Sequence, residues 1–542
     1  MFNLIFRKLN FALLLILIIA GIARFWGIGF GLPNTMARPD ESLVVSTSLQ
    51  FLKGDFNPHF FHWPSLYFYI ISGLYYFYYI LCVIFAKFNN IPYLLADFGK
   101  NLSIFFLISR YCSASFGIAT VFILYKIAYR LFGKRIALIS ALYLSLAYLH
   151  VRDSHFGVTD ITMTFFIMCS ILYIIKCYEY NSINNYVKAG IFAGLATSTK
   201  YAGILLMIPI AILNIIKKKN EFIIPMIKPV IIFGIVLMFV FILGTPYAIL
   251  DYKSFISDFL FIMKHIRQGG LNLGNGWWFH IHFSMFYGIG WSLLIFSILG
   301  IFLLFKDDWE KGVILCSFAI TYYIIALKGS LVFVRYSIPL IPTLCITGAY
   351  FTNYLYGKID KYVLSHYKIR IKLIYIFAIL IILPSLYNII KFDSLLISQD
   401  SRVLSAEWVE KNIEHGKGLI NIGSSYGKVE LNNKLYNEWR YDWKPDNSLL
   451  KIILKDSEMN NIFPDFIIYQ EYPLLFWNKK DNEIERYINK HYKIRKTFIV
   501  INIEAINKFD QIDAFYYPFA GFNRVKNPGP NIYIYERKEK SK

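Results

Sequence analysis

The chain has 542 residues, of which 56% are hydrophobic, 18% aromatic and 17% charged, with a formal net charge of +21. A soluble chain carries about 25% charged residues and a disordered one is poor in apolar residues, so both classes give way to a membrane protein. The basic excess fits cytoplasmic loops facing anionic membrane lipids, with no nucleic acid partner required. Six cysteines, Cys82, Cys112, Cys169, Cys177, Cys316 and Cys345, are too sparse for a disulfide scaffold and lie in apolar stretches, where each reads as a small buried hydrophobe.

Arg7 and Lys8 precede an apolar run from Phe11 to Ala23. The outline is that of a secretory signal ending at Ala23, but the many apolar segments that follow make it a retained first span. Segments near the roughly 20 residues needed to cross a bilayer occur at 9–28, 107–130, 229–246, 286–305, 311–327, 334–356 and 373–390. Shorter ones at 136–149, 161–176, 187–199 and 201–216 read as short or tilted helices, giving about eleven spans. Arg7 and Lys8, then Arg130, Lys134 and Arg135, Lys217 to Lys219, Lys306 and Lys311, and Lys358, Lys361, Lys368, Arg370 and Lys372 fall in alternate short loops. The positive-inside rule makes those loops cytoplasmic.

Residues 65–86, SLYFYIISGLYYFYYILCVIFA, are apolar enough to span, yet a crossing there reverses the side of every later basic loop. The segment is therefore expected to lie in the interface or re-enter, which suits its Tyr and Phe content. The first external loop then covers 30–106. After Ile390 the composition turns polar, with alternating runs PDFIIYQ (464–470), TFIVINI (497–503) and NIYIYER (531–537) and helix-like SAEWVEKNI and NEIERYINKHY. Residues 391–542 are expected to form an exterior, soluble α/β domain behind a membrane domain at 1–390. No repeat, Walker loop, G-x-G-x-x-G or zinc-spaced Cys/His set is present.

On this topology several ionisable residues share the external face: Asp40, Glu41, His59, His62, Arg152, Asp153, His155, Asp160, Lys200 and Arg335. Each has a plain structural explanation. Asp40 and Glu41 suit a helix start, Arg152 and Asp153 suit a mutual pair, and Lys200 and Arg335 suit snorkelling. Together, however, they combine carboxylates able to take a proton from a hydroxyl with cations able to hold a phosphate. That combination suits group transfer from a lipid-linked phosphate. Charges gathered at one face favour chemistry over the competing classes, a transporter or lipid flippase and a membrane-anchored partner-binding protein.

The pieces PDES (39–42), HWPSLYFY (62–69), SRYCSASFGIATVFILYKIAYRLFG (109–133), HVRDSHFGVTDITMTFF (150–166), STKYAG (198–203) and RYSIPLIP (335–342) resemble, in order and spacing, the GT-C superfamily of polytopic glycosyltransferases. The resemblance is to the group of protein O-mannosyltransferases and lipid A aminoarabinose transferases. The ending DAFYYPFAGFNRVKNPGPNIYIYE (513–536) resembles the exterior C-terminal domain of a prokaryotic branch. The resemblance implies an inverting hexosyl- or pentosyltransferase of the plasma membrane, moving a sugar from a polyprenyl-phosphate donor to a hydroxyl acceptor on protein, lipid or glycan outside the cytoplasm. It implies Asp40, with Glu41 and Asp160, as catalytic acids, and Lys200 and Arg335 at the donor phosphate. His62, Arg152, Asp153 and His155 are implied near substrate. His62 opens a motif that more often reads His-Pro-Pro or Lys-Pro-Pro, with Trp63 here in place of the first proline. Some relatives use a divalent metal and others do not, and Asp153, Asp160 and the histidines leave both open.

Overall fold

A computed structural model describes residues 11–85, 102–217, 223–268, 271, 273–367, 374–432, 434–442, 450, 463–474, 477, 481–502 and 508–538. Arg7, Lys8, Lys218, Lys219, Lys368, Arg370 and Lys372 lie outside them, as do residues 86–101 of the expected external loop. Two compact units emerge. One comprises Met1–Ile28, Leu43–Lys100 and Ile104–Ile390; the other comprises Gly29–Ser42, Asn101–Ser103 and Lys391–Lys542. Gly29–Ser42, expected as part of a membrane-domain loop, thus clusters with C-terminal residues.

Along the chain run α1 (Phe11–Phe25), α2 (Glu41–Phe51), α3 (Leu66–Ile84), α4 (Ser103–Phe132), α5 (Lys134–Ser145), α6 (Tyr148–Ser154), α7 (Thr159–Tyr180) and α8 (Ile183–Thr199). A 3-10 segment, Tyr201–Leu206, leads into α9 (Met207–Lys217), followed by α10 (Ile223–Gly244), α11 (Tyr252–Gln268), α12 (Trp291–Asp307) and α13 (Trp309–Ala326). A second 3-10 segment, Val334–Leu340, leads into α14 (Ile341–Tyr367), and α15 (Ile374–Leu396) follows. The described parts of the expected spans fall mainly on helices, the form that satisfies every backbone group within lipid. Among the described residues six helices are long and apolar enough to cross a membrane, and eight if two bent pairs each count as one span. The chain is an integral, multi-pass membrane protein. Residues 66–84 form one unbroken helix that meets the same length and apolarity test, so composition alone does not keep it from crossing.

Close helix approach is built into α8. A Cβ on Gly190 would lie 2.9 Å from the Phe233 carbonyl, and one on Gly194 would lie 2.7 Å from that of Leu237, so this small-residue face lets α10 pack backbone to backbone. The bent pair α5 and α6 turns by 56°. Its break frees carbonyls that lipid cannot satisfy, and side chains from elsewhere supply the donors. Buried Arg24 donates to the Leu144 and Ser145 carbonyls, each at 3.1 Å. Ser385 donates to the Leu146 carbonyl at 2.7 Å and accepts from the Tyr148 amide at 2.8 Å.

The second unit contains a five-stranded sheet of β1 (Gly418–Gly423), β2 (Asn437–Asp442), β3 (Phe466–Glu471), β4 (Tyr492–Phe498) and β5 (Asn531–Arg537), in the order β2-β1-β3-β5-β4. β1 pairs in parallel with β2 and β3, while β5 runs antiparallel to β3 and β4. Strand alternation sorts the core into two faces. Leu419, Phe466, Ile468, Ile532 and Ile534 pack with Val409 of α16 (Ser401–Asn412). Ile420, Ile422, Ile467 and Tyr469 pack with Ile484, Tyr487 and Ile488 of α17 (Asn482–His491). This is a small α/β domain, with PDFIIYQ and NIYIYER forming β3 and β5; TFIVINI contributes the end of β4, the Ile501 bridge to Val525 and a last residue, 503, outside the described set.

Candidate functional site

In the membrane unit Asp160 lies in the first turn of α7 and Lys200 terminates α8. The two helix ends bring Lys200 Nζ to 2.6 Å from Asp160 Oδ1. Asp160 is buried, while the Lys200 side chain keeps 23% exposure, so the ammonium is tethered but reachable. Its Nζ also sits 5.1 Å from the centre of the Tyr336 ring. Tyr336 and Arg335 are neighbours in the Val334–Leu340 segment, and the half-buried Arg335 guanidinium lies 4.4 Å from the Phe333 ring centre. Asp160, Lys200 and the Arg335-Tyr336 pair are therefore one neighbourhood, assembled from three separate parts of the sequence.

The loop bearing His62 joins the same corner through its neighbour. Tyr201 donates its hydroxyl to the Phe61 carbonyl at 2.8 Å, and the Phe61 amide donates to Asp258 at 2.8 Å. His62 stacks on Phe261 with ring centres 5.0 Å apart. Burial pulls its imidazole below the usual range, opposed by the Asp258 carboxylate. His59 is exposed and pairs with Asp55 at 3.1 Å.

Arg152, Asp153 and His155 are buried and engaged with protein groups. Arg152 pairs with Asp153 at 2.9 Å. The ring nitrogens of His155 lie 3.0 Å from the Val151 carbonyl and 2.9 Å from that of Trp26. One further charge was not singled out from sequence. Arg24 is fully buried and, beyond the Leu144 and Ser145 carbonyls, reaches His150 Nδ1 at 3.0 Å. The signal for it was there: a lone arginine inside an apolar run has to find an internal partner.

Asp40 and Glu41 belong to the unit that holds the sheet. Glu41 opens α2 and is fully buried; Asp40 before it is partly exposed with φ 72°, the left-handed region. Aspartate tolerates that region better than most residues, still at a cost of about 1–3 kcal/mol. Among the described residues no three His, Cys, Asp or Glu side chains are grouped to hold a metal ion, and Asp160 has a lysine as its ionic partner.

Residues 98–245 match the family described as dolichyl-phosphate-mannose-protein mannosyltransferase. No curated protein matches the chain in sequence. The structure is similar to ArnT from Cupriavidus metallidurans bound to undecaprenyl phosphate, with TM-score 0.54 and 11% identity over 96% of this chain and 97% of that one. It is similar to the archaeal oligosaccharyltransferase AglB from Archaeoglobus fulgidus, in complex with an inhibitory peptide and a dolichol-phosphate, with TM-score 0.50 and 12% identity over 90% of this chain and 72% of that one. Against an Archaeoglobus fulgidus oligosaccharyltransferase in the apo form the values are 0.49 and 15%; 74% of this chain is covered, and it spans 58% of that protein's length. At these identities the likeness is one of fold. The sequence match at 98–245 and the likeness of fold point the same way: that stretch is similar to the mannosyltransferase family, and the chain as a whole is similar in fold to these membrane proteins.

Proposed function

We propose that the protein is an inverting glycosyltransferase that moves a sugar from a polyprenyl-phosphate donor to a hydroxyl acceptor on the extracytoplasmic side of the membrane. The observation that carries this reading is the tethered, reachable Lys200 beside Asp160 and Tyr336, the chain neighbour of Arg335. An ammonium and a guanidinium near the end of apolar helices suit a lipid phosphate, since charge-assisted hydrogen bonds are about twice as strong as neutral ones. The fold's resemblance to proteins bound to undecaprenyl phosphate and dolichol-phosphate supports the same class of donor.

In the proposed reaction the acceptor oxygen attacks the anomeric carbon and gives its proton to the Asp40 carboxylate. The bond from that carbon to the phosphate oxygen breaks, its electron pair leaving with the polyprenyl phosphate. Lys200 and Arg335 neutralise the charge that gathers there. Asp160 holds the Lys200 ammonium in place, Glu41 fixes the backbone behind Asp40, and His62 borders the entry from its loop. Arg152, Asp153 and His155 serve as the buried support of the turn leading to Asp160.

The test is incubation of the purified protein with a panel of polyprenyl-phosphate hexoses and pentoses, scored by released polyprenyl phosphate. Release from at least one donor is expected. No release from any donor, with each available acceptor class (peptide, lipid and glycan) present, would refute the transferase reading.

A further inference from the structure

We propose that Arg38 is a positioning residue: clamped by Asp513 at the carboxyl edge of the C-terminal sheet, it fixes the backbone on which Asp40 is presented. The inference rests on Asp40 as the base and adds what the C-terminal domain does for it.

The argument begins with the sheet. The chain leaves β1 for β2 on one side and returns to β3 on the other, so the carboxyl ends of β1 and β3 form the switch point where open α/β sheets leave a crevice for a ligand. Here the crevice is filled by the protein. A Cβ on Gly427 would lie 1.6 Å from Gln470 Oε1, and the Ser424 and Tyr516 hydroxyls are hydrogen-bonded. Against this edge lies Gly29–Ser42, held at four points. Phe30 meets Phe515 and Tyr517 edge-on, each at 5.9 Å. Thr35 donates its amide and hydroxyl to the Glu430 carboxylate at 3.1 and 2.6 Å. Arg402, locked by two bonds to Asp400 at 2.8 and 2.6 Å, donates to the carbonyls of Tyr426 and Met36. Arg38 Nη1 reaches Asp513 Oδ1 at 2.7 Å, with exposures of 0% and 2%.

A buried ion pair is a weak stabiliser, because desolvation offsets most of its attraction, but breaking it is costly, so it fixes register. Two residues beyond Arg38 stands Asp40, left-handed and partly exposed, followed by the fully buried Glu41. An acid displayed between two buried charges is held in one geometry, which is what a general base requires, since a misplacement of about 1 Å costs roughly 100-fold in rate.

The experiment uses the intact protein with the polyprenyl-phosphate sugar from which it releases polyprenyl phosphate in the panel assay, and compares wild type, Asp513→Asn, Arg38→Lys and the exchange Arg38→Asp/Asp513→Arg. Two quantities are read: amide hydrogen exchange across 29–42, and kcat and KM for the donor. Asp513→Asn is expected to speed exchange in 29–42 and lower kcat by roughly 10- to 100-fold, leaving donor KM within about twofold. Arg38→Lys should retain most of kcat and the exchange pair should recover part of it. If Asp513→Asn does not fold, Glu430→Gln loosens the half-buried Thr35 anchor and is read in the same way. Unchanged exchange, or faster exchange with unchanged kcat, overturns the inference. Asp40→Asn is assayed alongside: full turnover there overturns the base assignment, while the exchange data alone decide whether Arg38 orders the segment.

Discussion

Lys200 Nζ and Asp160 Oδ1, 40 residues apart in sequence, lie 2.6 Å apart because one helix ends where another begins. Asp160 sits in the first turn of α7 and Lys200 at the end of α8, so each charge occupies the helix end that favours it electrostatically. The pair is preorganised before any phosphate arrives. An incoming phosphate oxygen adds a partner to an ammonium already aimed, and little side-chain entropy is lost on binding.

Neutral substitutions should separate the two roles. Lys200→Met is expected to weaken binding of a polyprenyl-phosphate donor by roughly 10- to 100-fold, the worth of a hydrogen bond to a charged group. Asp160→Asn should cost less in binding, because the ammonium remains. The double variant should fall short of the sum, as expected for side chains in direct contact. Donor titration by isothermal calorimetry or fluorescence reads all three. Strict additivity would show that the pair does not act as a unit.

Arg24 and Gly117 should behave as one feature. A Cβ on Gly117 would lie 3.0 Å from Arg24 Nε and 2.5 Å from Ser154 Oγ, so the glycine leaves the room the arginine needs. Arg24→Met strips the donor from two buried carbonyls at the α5–α6 break, about 1–3 kcal/mol for each group left unsatisfied. Gly117→Ala should displace the same guanidinium. Both are expected to lower the apparent melting temperature in detergent, and the double variant should be little worse than the poorer single one. Independent losses that sum in the double variant would show that the glycine has another role.

The spans were legible because the bilayer imposes a local rule, a run of apolar residues of a given length. The network around Arg24 is not legible in this way, because all but its Ala20 partner are far off in sequence: the Ser145 carbonyl is 121 residues away. In the sheet, β3 and β5 show as alternating runs, whereas GLINIG, as long as β3, has a glycine at each end that weakens the strand pattern and NEWRYD is too polar. β2 lies at an edge, where a charged side chain such as the exposed Arg440 guards against further pairing. The grouping of Gly29–Ser42 with the C-terminal domain depends on Arg38 and Asp513, separated by 475 residues, and no local pattern encodes that.

Single-cysteine labelling in intact cells tests the proposed topology. Lys53→Cys, exposed before α3, and Lys434→Cys, exposed in the sheet domain, are expected to react with a membrane-impermeant maleimide from outside, while Lys134→Cys and Lys218→Cys are not. The decisive position is 134, since α3 meets the length test for a span. If α3 crosses, 134 moves outside together with every later basic loop. External labelling at 134 would thus overturn both the non-crossing α3 and the assignment of basic loops to the cytoplasm.

Asp40→Asn is the sharpest test of the chemistry. The substitution keeps size and the ability to accept a hydrogen bond, and asparagine tolerates the left-handed backbone that position 40 adopts, so the fold should survive. What it removes is basicity. A hydroxyl attacking an anomeric carbon has to lose its proton, and general-base assistance is typically worth about 10²- to 10⁴-fold in rate. Turnover should fall by that factor with donor binding nearly unchanged, since the cations proposed for the phosphate, Lys200 and Arg335, are untouched. A fall in kcat alone is the mark of an interaction made only in the transition state. Near-normal turnover would remove Asp40 from the reaction and leave Asp160 as the leading carboxylate, while a parallel loss of donor binding or of folding would assign Asp40 to the structure of its turn.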